Sequence, residues 1–60
     1  MKVGDLVEYI GREDEAAGRT HGIAMRFDVY ETASGADNLV EVLWVSGLSW
    51  ILKSRIKAVN

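Results

Sequence analysis

The sixty-residue chain has no cysteine, which removes disulfides and every zinc site built on thiolates. Its one histidine, His21, is too few for a histidine-rich metal centre. Proline is absent as well. No apolar run approaches the roughly eighteen residues that cross a bilayer as a helix. Met1-Lys2 leads directly into Val3-Gly4-Asp5, without the apolar stretch of a signal peptide. The expected location is the cytoplasm, away from any membrane.

Basic charge is also scarce. Seven Lys and Arg face nine Asp and Glu, and the pI is near 5.2. A nucleic-acid binder presents a basic face and a high pI, so this balance argues against one. The charge is uneven, because Lys53, Arg55 and Lys57 crowd the last eight residues with no acid among them. With 48% apolar residues, the chain is a globular one. Sixty residues make a single domain. A chain this short buries only about 60% of its unfolded surface, and its stability is on the order of 3–9 kcal/mol. Small domains usually add disulfides, a metal or a second subunit to such a core. Here the first is excluded, which leaves an efficient core, an oligomer, or both.

The hydrophobic pattern is that of strands. Val3 to Ile10 mixes β-branched and aromatic residues with polar ones, and its entry through Gly4-Asp5 marks a turn. Leu6, Glu8 and Ile10 share one face, Val7 and Tyr9 the other. Gly11 to Gly22 is polar and glycine-rich, a loop in which Glu13–Ala17 has the makings of a helical turn. Ile23, Met25, Phe27 and Val29 then alternate with Ala24, Arg26, Asp28 and Tyr30, which predicts a strand with the first set buried. Thr32 to Asn38 reads as a loop or wide hairpin. Val40, Val42 and Trp44 share the next buried face, Ser46-Gly47 supplies a tight turn, and Leu48 to Leu52 returns as a fourth strand. A single helical or 3₁₀ turn over Lys53–Ile56 and a closing strand over Lys57–Val59 complete the chain. No window carries a helical stripe. The expected fold is all-β: five short antiparallel strands closed into a small barrel or sandwich.

Gly4-Asp5-Leu6-Val7, Gly22-Ile23, Val40-x-Val42-x-Trp44-x-x-Gly47 and Leu52-x-x-x-Ile56-x-x-Val59 together resemble an SH3-like five-stranded barrel with its short 3₁₀ turn before the last strand. The likeness extends to small SH3-like proteins encoded by tailed bacteriophages and marine bacteria, which implies a bacterial or phage-infected cell, or a virion. Type II dihydrofolate reductase is similar in length and also opens with Gly-Asp-x-Val. That resemblance implies a tetramer holding folate and NADPH in a central pore. Its pore segment, Val-Gln-Ile-Tyr, corresponds here to Ser49-Trp50-Ile51-Leu52, where Ile51 alone is retained. Barrels of the KOW and Tudor kind imply a third reading, a nucleic-acid-associated module.

No catalytic constellation is visible. His21 has no orienting carboxylate or nucleophile beside it in sequence. Glu13-Asp14-Glu15 lacks the alternating spacing of a calcium loop. Gly18–Gly22 lacks the Gly-Lys-Ser/Thr ending of a phosphate loop. Neither a metal nor a cofactor is expected. The aromatic surplus points to function instead. A core this small houses one indole, so Trp44, in register with Val40 and Val42, belongs inside. With Leu52 pointing in, Trp50 follows it by period two while Ser49 and Ile51 point out, yet one ring must stay partly exposed. Tyr9, Tyr30, Leu43, Val45 and Ile51 fall opposite the expected core. The expected activity is therefore non-enzymatic: a binding or assembly module whose partner is a protein, including a second copy of itself. Trp50, Tyr9, Tyr30 and Ile51 are the expected anchors, and Lys53 and Arg55 the orienting charges.

Overall fold

The computed structural model describes residues 1–12 and 20–59. Five antiparallel strands form one sheet: β1 (Leu6–Tyr9), β2 (His21–Thr32), β3 (Gly35–Trp44), β4 (Gly47–Leu52) and β5 (Ile56–Ala58). Their order across the sheet is β4-β3-β2-β1-β5. A single 3₁₀ turn, Lys53–Arg55, stands where one is expected, between β4 and β5. Glu13–Ala17, the part of the expected loop with the makings of a helical turn, lies outside the described residues.

The sheet curls but does not close into a barrel. β4 and β5 are its two edges, yet only Lys53–Arg55 separates them in sequence. Four peptide units reach at most about 14 Å, so this link draws one end of each edge toward the other. β5 has three residues and pairs with β1 alone among the described residues. It is too short to zip the seam.

One side of the sheet holds the core: Val7, Ala24, Val40, Val42, Trp44 and Ile56, with Tyr9 and Ile51 packed against it. Trp44 is 3% exposed. It meets Tyr9 edge-on, with ring centroids 6.5 Å apart and planes at 78°, the arrangement that a ring quadrupole favours. β1 is turned over from the sequence expectation. Val7 is fully buried and Tyr9 packs inward, while Leu6 points outward.

β2 departs from strict alternation as well. Pairing with β3 runs in register to Ala24↔Val42 and resumes at Arg26↔Glu41, so Met25 is an extra residue in a β-bulge. Gly22 and Ala24 are the buried residues of this strand, in place of Ile23 and Met25. Had the period continued unbroken, Arg26 would follow Ala24 into the core. The bulge turns Arg26 outward and returns Phe27 and Val29 to the inner face. There they pair with Val40 and Asn38, toward the hairpin end of the sheet, and remain exposed.

β2 and β3 continue to a two-residue connection at Ala33-Ser34, so the segment expected as a wide loop is mostly strand. Thr32 Oγ1 fastens the turn by donating to the Gly35 carbonyl and accepting from the Ser34 N–H. The next connection is equally short. Trp44 pairs with Gly47 across Val45-Ser46, and Gly47 takes φ of 121°, a conformation that glycine adopts without penalty. This turn fixes the faces of β4. Ser49 lies opposite Val42 and Ile51 opposite Val40, so both share the inner side of the sheet. Trp50 and Leu52 take the outer side, the reverse of the sequence expectation. Moving the turn by one residue exchanges the faces of an entire strand.

Gly22 marks the tightest approach in the core. A Cβ there would stand 2.5 Å from Val42 Cγ1 and 2.7 Å from the Leu43 carbonyl oxygen. Gly22→Ala is therefore expected to destabilise the fold by about 1–3 kcal/mol, a loss that urea denaturation followed at the tryptophan fluorescence will measure.

Candidate functional site

The outer face of an antiparallel sheet is ordinarily polar. Here it carries an apolar row across the strands. Leu48 pairs with Leu43, Leu43 with Ile23 and Ile23 with Leu6. The Val59 N–H donates to the Leu6 carbonyl and carries the row to the chain segment after β5. Leu6, Leu43 and Leu48 are all exposed. The sequence pattern places Leu43 on this side, whereas Leu6 and Leu48 reach it because β1 and β4 face the opposite way from the alternation expected.

Beside this row sits a stacked polar-aromatic group. Glu41 pairs with Arg26 on one side and with Trp50 on the other. Arg26 Nε donates to Glu41 Oε1 at 2.8 Å, and its Nη2 donates to Oε2 at 3.1 Å. The fork geometry holds the guanidinium flat. Its carbon stands 5.5 Å from the Trp50 ring centroid, within cation–π distance. Glu41 is 9% exposed beneath this lid, and Trp50 is 43% exposed. The Arg26 hydrogen bond and charge hold the Glu41 carboxyl below its ordinary value of 4.5, against a smaller opposing effect of burial. Reciprocally, Glu41 raises the Arg26 guanidinium. The indole therefore lies on an outer surface, with an internally neutralised ion pair at its side.

The other residues expected at the interface are dispersed. Tyr9 and Ile51 pack on the core. Tyr30 is exposed far along the β2–β3 hairpin, opposite Asp37. Lys53 is exposed and borders two open clefts. The larger, about 380 Å³, lies among Ala36, Asp37, Asn38, Leu52, Lys53 and Ser54. The other, about 310 Å³, is bounded by Phe27, Val29 and Leu39. Arg55 is half-buried in the 3₁₀ turn. Of the six expected residues, Trp50 and Tyr30 lie on the outer side of the sheet, and Trp50 is the one beside the leucine row.

His21 lies opposite Glu8 across β1 and β2, and Glu8 Oε2 approaches Lys57 Nζ at 3.9 Å. Among the described residues no group of three potential metal ligands gathers. Glu13-Asp14-Glu15 lies outside them. No described helix is long and apolar enough to cross a membrane. Comparison with protein families, curated proteins and solved structures returns no match.

Two buried polar atoms on the inner side, Trp44 Nε1 and Ser49 Oγ, have no hydrogen-bond partner among the described residues. An unsatisfied buried hydroxyl is costly. Ser49→Ala should thus leave thermal stability unchanged or raise it by up to about 1 kcal/mol.

Glu41 generates a pH prediction. Its carboxyl is lower in the folded chain than in the unfolded one. The stabilisation is therefore complete above the ordinary carboxylate value and disappears as pH falls through the lowered folded value. In thermal melts, wild type should exceed Glu41→Gln in stability at neutral pH, and the gap should narrow progressively below about pH 4.

Proposed function

We propose that this chain is a non-enzymatic assembly module that associates with further copies of itself through the apolar-aromatic outer side of its sheet. The supporting observation is the row Leu48–Leu43–Ile23–Leu6, contiguous with the exposed Trp50 ring. Contiguous exposed apolar surface marks interaction sites, whereas scattered apolar residues do not. The chemistry at its margin suits burial against protein. Arg26 and Glu41 neutralise one another, so covering them strands no lone charge. Aromatic and Arg side chains are also the residues enriched in interface centres.

The energetics favour the same reading. Six buried apolar residues among those described make a thin core, and a subunit contact would remove further apolar surface at about 25 cal/mol per Å². Sedimentation velocity from about 10 µM to about 1 mM should show a mass that rises with concentration. A mass fixed at that of one chain over this range would refute the proposal.

A further inference from the structure

We infer that the partner is a second copy joined edge to edge, β4 against β4 in antiparallel register, with the two-fold axis passing through Trp50. This rests on the self-association proposed above and specifies its geometry.

The two edges of the open sheet are unequal. β5 is three residues long, with Lys57 at its centre, and both properties discourage strand pairing. β4 has six residues, Gly47-Leu48-Ser49-Trp50-Ile51-Leu52, with neither charge nor proline. It therefore carries neither of the residue types that blunt an edge. Its outward backbone groups follow from the turn. The two-residue connection makes Trp44 and Gly47 a hydrogen-bonded pair, and the antiparallel alternation then repeats at Val42↔Ser49 and Val40↔Ile51. The N–H and C=O groups of Leu48 and Trp50 and the N–H of Leu52 consequently point away from β3, along the open edge, while the Leu52 carbonyl caps the 3₁₀ turn.

The sequence of that edge is close to its own mirror image. Leu48 and Leu52 stand symmetrically about Trp50, and all three side chains share the outer face. An antiparallel copy centred on Trp50 places Leu48 against Leu52 of the other chain, twice. It places the two indoles against each other, and Ser49 against Ile51. No charge faces a like charge within the paired strands. The apolar row running through Leu6, Ile23, Leu43 and Leu48 would continue across the axis into the second sheet. A contact confined to one short strand buries less than about 1,200 Å², the class of weak complexes, so assembly should require tens to hundreds of micromolar protein.

The test combines a backbone variant with cysteine pairs, which is clean because the chain has no cysteine of its own. Leu48→Pro removes an edge N–H that β3 does not use, a position where a strand tolerates proline. The variant should keep its far-ultraviolet β signal and associate at least tenfold more weakly than wild type. Leu43→Lys alters the middle of the outer face and should shift association by less than Leu48→Pro does. Mild oxidation of the double variant Leu48→Cys/Leu52→Cys should yield a covalent dimer, since facing residues lie within disulfide reach. Leu48→Cys alone should not, because its two copies would stand about 13 Å apart.

Equal crosslinking of the single and double variants would overturn the register. If Leu48→Pro associates like wild type while Leu43→Lys is monomeric, edge pairing is overturned and docking through the face survives. A wild-type chain that is monomeric throughout overturns both.

Discussion

One extra residue organises this molecule. Without the bulge at Met25, the alternation that buries Ala24 would send Arg26 into an interior built from Val7, Val40, Val42, Trp44 and Ile56. An unpaired guanidinium there would cost far more than the few kilocalories that a sixty-residue fold commands. Displacing the register by one puts the cation outside, opposite Glu41, where the two groups grip one another above the Trp50 ring. The same displacement aligns Phe27 with Val40. Core composition, surface ion pair and aromatic platform thus share one cause in the backbone.

Two tight turns distribute the remaining faces. Ala33-Ser34 and Val45-Ser46 each join their strands through two residues, which leaves no slack for a shift of pairing. From the second turn it follows that Ile51 closes over the core and Trp50 does not. The outer surface then acquires leucines from three strands, and an uncharged strand becomes one border of the sheet. The open border and the leucine row face the same shortage, since a chain of this size has too few residues to cover both sides of its own sheet.

Strand content, the 3₁₀ turn and the inward run of Val40, Val42 and Trp44 were legible in the sequence because each is local. Alternation over five residues and a Lys-Ser-Arg break need no knowledge of neighbours. The facing of β1, β2 and β4 was not legible. For β1, Leu6/Ile10 and Val7/Tyr9 are equally apolar pairs, and only the partner strand decides between them. For β2, the run from Ile23 to Val29 looked like an unbroken period, and nothing in its composition announces an extra residue at Met25. For β4, placing the turn one position late reversed every side chain. The candidate surface inherited those reversals: Tyr9 and Ile51 turned inward, while Leu6, Leu48 and Trp50 turned out.

The long β2–β3 hairpin has a further consequence. Its distal half, from Val29 through Asn38, extends past the packed cluster and carries no buried side chain. Its hydrogen-bonded ladder rests on the turn and on strand pairing alone, so opening that arm exposes little apolar surface and need not disturb Trp44. Amide exchange should therefore be graded along a single pair of strands, fastest near Ala33-Ser34 and slowest beside Val42. The arm is correspondingly the natural place to splice in foreign residues, since its tip contributes nothing to the interior that holds the rest together.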